Sequence, residues 1–145
     1  MRKKELKNKQ IAYLLVFFQF IGLSLILMTG PLMARGPVLF SIQMLSIVLG
    51  VWAVLVMRIG HFNILPLPQE RAQLISKGPY SIIRHPMYTS ILIFTLMHLI
   101  NDYSHLRFFI FIGLCMALIW KLNFEEKQLL LKFDDYSEYR NKTYG

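Results

Sequence analysis

Apolar residues fall in four blocks along the chain. The first runs from Ile11 to Thr29 and is broken only by Gln19 and Ser24; the second covers Val38 to Met57. Each approaches the roughly 20 residues that cross about 30 Å of hydrocarbon as a helix. The third, Tyr88 to Ile100, is short and on its own suits a buried or re-entrant segment. The fourth covers Phe108 to Leu122. Turn formers separate them: Gly30-Pro31, Gly36-Pro37 and Asn101-Asp102. The pattern predicts one all-α integral membrane domain over residues 1–145. Its four helical spans lie at about 11–29, 38–57, 86–101 and 107–122. A long ordered loop, 58–87, and a C-terminal segment, 123–145, complete it, the last helix continuing beyond the membrane.

Composition agrees. Hydrophobic residues make up 55% and charged residues 17%, against about 45–50% and about 25% in soluble chains. Disorder, which needs low hydrophobicity and high net charge, is excluded. The single Cys115 excludes an internal disulfide and a zinc site built on several thiolates. A secretory signal is the rival reading of the N-terminus, but the apolar run exceeds the usual core and no small-residue cleavage site follows.

The net charge of +8 gains meaning from its placement. Fourteen of the 16 basic residues lie in the N-terminal tail, the 58–87 loop and the segment after Trp120; Arg35 and Arg107 alone lie in the opposite connections. This asymmetry predicts a multi-pass protein with both termini and the middle loop cytoplasmic. It is a signature of the cytoplasmic leaflet, not of nucleic acid, since no basic stripe alternates with aromatics. All eight acidic residues lie outside the apolar runs, which argues against an ion-coupled transporter.

Within the spans, Ser46-x-x-x-Gly50 and Gly113-x-x-x-Ala117 are small-residue pairs suited to helix packing. Gln19, Gln43 and His98 are polar at membrane depth, either as interhelical hydrogen-bond formers or as functional groups. Trp52, Trp120, Tyr13 and Tyr103 stand near span ends, as interfacial aromatics do.

The middle loop carries the unusual chemistry. About 30 residues is long for a compact domain unless the loop is functional or disordered, and its prolines, aromatics and cations favour order. Pro66 and Pro68 impose extended backbone. Gly78-Pro79 marks a tight turn. Pro86 suits the first position of a helix, which puts Arg84 and His85 at the mouth of the third span, a setting that attracts a carboxylate. Beyond the fourth span, Leu122, Leu129 and Phe133 recur at helical spacing, so Glu125 and Glu126 stand just outside the membrane on the side of Arg84 and His85. Adjacent helical residues diverge by about 100°, so one of the two glutamates is expected to face a given pocket.

The string Gly78-Pro79-Tyr80-x-x-x-Arg84-His85-Pro86-x-Tyr88, followed by Glu125-Glu126-x-x-Leu129-x-x-x-Phe133 and Tyr136-x-x-Tyr139, resembles the isoprenylcysteine carboxyl methyltransferase and phospholipid methyltransferase superfamily. The likeness covers roughly residues 58–142. Two positions depart from it: Asp134-Asp135 follows Phe133 where the family usually has a Gly, leaving the turn one residue shorter, and Ser90 stands where Gly is common. The resemblance implies a small membrane enzyme using S-adenosylmethionine (SAM). It implies a cofactor site of Gly78, Pro79, Tyr80, Arg84, His85, Pro86, Tyr88, Glu125 and Glu126, with Arg84, His85 and Glu126 as the catalytic candidates. The implied acceptor is a lipidic or membrane-partitioned small molecule carrying a carboxyl, amine or thiol. A carboxylate needs no base at neutral pH, whereas an amine or thiol would need Glu125, Glu126 or His85 to take its proton. No Gly-x-Gly-x-x-Gly or βαβ pattern is present, which excludes a soluble dinucleotide-type SAM site. Two alternatives stay open: a non-catalytic relative, and an NADPH-dependent membrane reductase with a similar Arg-His-Pro string. Against the second, Met87 precedes Tyr88 and Thr89-Ser90 follow it.

Overall fold

A computed structural model describes residues 2–59, 66–67 and 73–145. They form five α-helices: α1 (Arg2–Met28), α2 (Pro37–Ile59), α3 (Pro86–Asn101), α4 (His105–Lys132) and α5 (Tyr136–Lys142). A 3-10 turn spans Gly78–Ser81, and no strand occurs among the described residues. Pro68 and Arg71 of the middle loop lie outside the described residues, whereas Pro66 is fully buried.

Local sequence explains the boundaries. Pro37 and Pro86 open α2 and α3, where a missing N–H costs nothing. Gly36 supplies the positive φ of 90° just before α2. Ser104 caps α4 by accepting the Arg107 N–H at 3.2 Å. At their outer ends α1 and α4 run past the apolar blocks. The Arg2–Gln10 stretch is already helical, because its Lys, Glu, Leu and Gln residues are good helix formers and no Gly or Pro interrupts them. The fourth apolar run and its charged extension form one unbroken 28-residue helix.

α1, α2 and α4 are each long and apolar enough to cross a membrane; α3, with 16 residues, is shorter. The helices pack as a row in the order α2, α3, α4, α1, with the broadest contacts between α2 and α3 and between α1 and α4. Ile26, Tyr88, Leu114 and Leu118 form the buried core where α1, α3 and α4 meet. Outward faces are apolar and exposed, including Phe17, Val48, Leu55 and Phe109. Tyr13, Trp52, Tyr103 and Trp120 are all half exposed or more.

Small residues at two seams let helices approach. A Cβ on Gly22 would stand 3.3 Å from Leu114 of α4, and one on Gly50 would stand 2.5 Å from Ser90 Oγ of α3. The Ser46–Gly50 pair therefore does face a neighbouring helix at Gly50. Gly113 does not: nothing lies within 4 Å of its Cβ position, because that side of α4 faces outward. The Gly50 contact leaves room for the Ser90 side chain on α3. Gly50→Ala is expected to lower the unfolding temperature in detergent, and Gly50→Ala with Ser90→Gly to restore most of it. Equal losses in the single and double variants would refute this seam.

The polar residues at depth have separate partners. Gln43 accepts the Ala34 N–H at 2.7 Å and donates to the Leu32 carbonyl at 3.2 Å, tying down the α1–α2 connection. Gln19 accepts from Lys121 of α4 at 2.6 Å. His98 is buried at the far end of α3, and its ring nitrogens have no hydrogen-bond partner among the described residues. Arg107, expected in a loop, is instead buried in the first turn of α4. It donates to the Thr29 and Asp102 carbonyls and to Thr29 Oγ1, and pairs with the Asp102 carboxylate at 2.8 Å.

Candidate functional site

The site forms where three pieces of chain meet at the N-terminal end of α3. The first is the turn leading into it. Gly78 has φ of 60°, and a Cβ there would stand 3.0 Å from Val56 and 3.4 Å from the Trp52 indole nitrogen of α2. Glycine thus gives both the left-handed backbone and the close fit on α2. Pro79 and Tyr80 are buried behind it. The Tyr80 hydroxyl points to Met57 sulfur at 3.9 Å, and its carbonyl accepts the Tyr139 hydroxyl at 2.7 Å.

The second piece is the start of α3. Pro86 is fully buried at the first helical position, which fixes His85 just before it. The His85 imidazole stacks on the Tyr88 ring, with centroids 5.4 Å apart and planes within 2°. The third is the outer half of α4 with the tail beyond it. Glu126 accepts Arg84 Nε at 3.0 Å and lies 3.4 Å from His85 Nε2 and 3.7 Å from Arg140 Nε. Glu125 accepts the Tyr88 hydroxyl at 2.5 Å and lies 3.8 Å from His85 Nδ1. Either ring nitrogen of His85 therefore faces a carboxylate.

This corrects the expectation that one glutamate alone would face the site. The stacked His85–Tyr88 pair is wide enough to bridge the angle between two successive α4 side chains, so both carboxylates are used. Arg84, His85, Tyr88, Glu125 and Glu126 are brought together. Gly78, Pro79 and Pro86 contribute backbone shape, and Tyr80 faces α2 and α5 rather than the carboxylates' hydrogen bonds.

Arg84 is more committed than the sequence suggests. Its Nη1 donates to the carbonyls of Arg140 and Thr143 at 2.8 and 2.7 Å. Its backbone N–H donates to Tyr144 O at 2.7 Å, and Tyr144 N–H returns a bond to Ile82 O at 2.9 Å. Residues 143–145 thus lie along the loop as a short parallel bridge closed by Arg84. The turn after Phe133 leads directly into α5. Tyr136 is buried at the start of α5, and its hydroxyl has no partner among the described residues. Burial raises the phenols of Tyr80 and Tyr136 well above the ordinary value, and Tyr139 is pushed up to about 12, so all three remain proton donors at neutral pH.

Residues the sequence reading left out complete the surroundings. Lys121, one of the basic residues counted after Trp120, is 3% exposed and holds its ammonium 5.0 Å from the Tyr88 ring centroid. The signal for it was present: Lys121 precedes Glu125 by one helical turn. Arg140 and the 143–145 backbone had no comparable signal, since their role depends on how the tail folds back.

Two acids, a guanidinium, an imidazole and several phenols gather at a helix start at the edge of an apolar helix row, chemistry that can engage a polar, charged small molecule. A profile of the phospholipid methyltransferase family matches residues 33–135, well over half of the chain and including the loop, α3 and the paired glutamates. The chain belongs to the phospholipid methyltransferase family, a family of membrane methyltransferases. No curated protein and no solved structure matches it.

Proposed function

We propose that this protein is a SAM-dependent methyltransferase that modifies a lipidic or membrane-partitioned acceptor at the cytoplasmic face of its membrane. One observation carries the reading: Arg84 and His85, 40 residues before the paired glutamates in sequence, form one hydrogen-bonded cluster with them at the start of α3. The chain crosses the bilayer four times, with α3 as the short crossing and both termini on the cytoplasmic side. The buried Arg107 strengthens that orientation. It is consumed by a clamp between helix ends, leaving Arg35 as the one solvent-facing cation in the opposite connections.

The donor set fits SAM. Glu125 and Glu126 suit an ammonium and ribose hydroxyls. Arg84 Nη2 and the buried Tyr136 hydroxyl carry no hydrogen bond among the described residues and suit a carboxylate. Bound SAM supplies an activated methyl group open to in-line displacement. The protein's own work is to align donor and acceptor and to keep water out. The His85–Glu125–Glu126 cluster is the group that takes the proton an amine or thiol acceptor releases; a carboxylate acceptor needs only orientation.

The test is incubation of the purified protein with methyl-labelled SAM and a membrane extract. Label is expected in a single organic-extractable product, made at least 100-fold more slowly by His85→Ala if the acceptor carries a proton to lose. Absence of labelled product with every lipid fraction would reject the activity.

A further inference from the structure

Lys121 is the one buried ammonium among the described residues, and its surroundings do not match its charge. Its one hydrogen-bond acceptor is the neutral side-chain oxygen of Gln19 on α1, at 2.6 Å. An aromatic face, Tyr88, lies on another side at 5.0 Å. The nearest carboxylate along the helix, Glu125, is taken by the Tyr88 hydroxyl and His85 and forms no ion pair with Lys121 among the described residues. An ammonium has three donors, and burying one at membrane depth is costly unless an anion or a full set of acceptors answers it. The remaining charges of the cluster do not supply that anion. Arg84 and Arg140 both pair with Glu126, while Glu125 faces the Tyr88 hydroxyl and His85, so neither carboxylate forms an ion pair with the Lys121 ammonium among the described residues.

We propose that Lys121 is the acceptor-recognition cation of this enzyme. It binds an anionic oxygen group, phosphate or carboxylate, on a hydrophobic acceptor that enters between α1 and α3, and the Gln19 amide fills that position until the acceptor arrives. The proposal rests on the methyltransferase reading for its purpose, but the site stands on its own geometry. Entry between α1 and α3 is favoured because those helices touch only slightly, whereas α1 with α4 and α2 with α3 are broadly packed. Exchanging a neutral amide oxygen for an anion strengthens the bond to the ammonium, since charge-assisted hydrogen bonds are about twice as strong as neutral ones. The position is also the right one. Lys121 lies under the ring whose hydroxyl engages Glu125, one turn further into the apolar row than the glutamates, so an acceptor held by its anion there presents its remaining head atoms toward the Glu125–His85–Tyr88 cluster.

The experiment is native mass spectrometry of the full chain with three probes of one acyl chain: oleoyl lysophosphatidate, oleate and monoolein. SAM binding is measured by calorimetry on the same preparations. The wild type is expected to bind at least one anionic probe about tenfold more tightly than monoolein, the gain of one charge-assisted hydrogen bond. Which of the two binds identifies phosphate or carboxylate as the group recognised. Lys121→Met is expected to bring the preference to within about twofold of unity while SAM is still bound. Gln19→Glu, which places a carboxylate permanently beside the ammonium and needs no loss of charge pairing to fold, is expected to remove the preference as well. Exposed Lys77→Met should leave it intact. A preference that survives both Lys121→Met and Gln19→Glu, or is absent from the wild type, overturns the inference and leaves the methyltransferase reading standing. A preference lost in both variants in a wild type that does not bind SAM supports the anion site and rejects the methyltransferase reading instead.

Discussion

Replacing Arg107 with methionine is expected to destabilise the protein by about 2–3 kcal/mol, the range for leaving helix-end acceptors without their charged donor. The guanidinium closes the C-terminal end of α1 through Thr29 and the end of α3 through Asp102, so one side chain serves the unpaired carbonyls of two helices. Space is reserved for it: a Cβ at Gly30 would stand 2.3 Å from Arg107 Nη2. Lysine at this position keeps the charge but loses the fork, and is expected to recover less than half of the loss. Thermal unfolding in detergent, followed by circular dichroism, measures this; a methionine variant within about 1 kcal/mol of wild type would contradict the clamp. The clamp also predicts an acid limb. The hydrogen bond from Arg107, and then its charge, hold the Asp102 carboxyl below the usual range. Its contribution is therefore full above about pH 4 and is lost as pH falls through the lowered folded-state value. Asp102→Asn should flatten the wild-type decline toward pH 3.

The second large effect is expected at Glu126. Glu126→Gln keeps shape and one acceptor but removes the charge that faces Arg84, His85 and Arg140, and Glu126 is only 7% exposed. Leaving Arg84 without its carboxylate is expected to weaken SAM binding by two orders of magnitude or more, from about 3–5 kcal/mol. Because Arg84 also holds the carbonyls of Arg140 and Thr143, the same variant should expose residues 133–145 to limited proteolysis while helical content stays constant. Wild-type SAM affinity in Glu126→Gln would remove this residue from the site. A retained affinity together with a released tail would reduce Glu126 to an anchor.

Much of this was legible in the chain. Four apolar blocks set the four apolar helices, three of them of crossing length and α3 shorter. Pro86 after Arg84-His85, and Glu125-Glu126 on a continuing helix, are enough to place the two halves of the site together. What escaped depends on tertiary packing. Arg107 reads as a loop cation until α1 and α3 are known to end beside it. Gly113 reads as a packing glycine until the row order turns it outward. The use of both Glu125 and Glu126 follows from the width of the His85–Tyr88 stack, which no periodicity encodes. The strap of residues 143–145 arises from a backbone pairing with Ile82–Arg84 that side-chain types do not announce.

The shortness of α3 has a consequence for the lipid around it. Sixteen helical residues rise about 24 Å, some 6 Å less than a typical hydrocarbon core. In the four-crossing arrangement proposed above, the two leaflets draw together beside α3 to meet it. Headgroups there sit deeper than elsewhere on the protein's perimeter, level with the end of the helix that carries His85 and Tyr88. For the lipidic acceptor proposed above, such thinning would bring the reactive head level with the cluster without lifting its acyl chains out of the membrane.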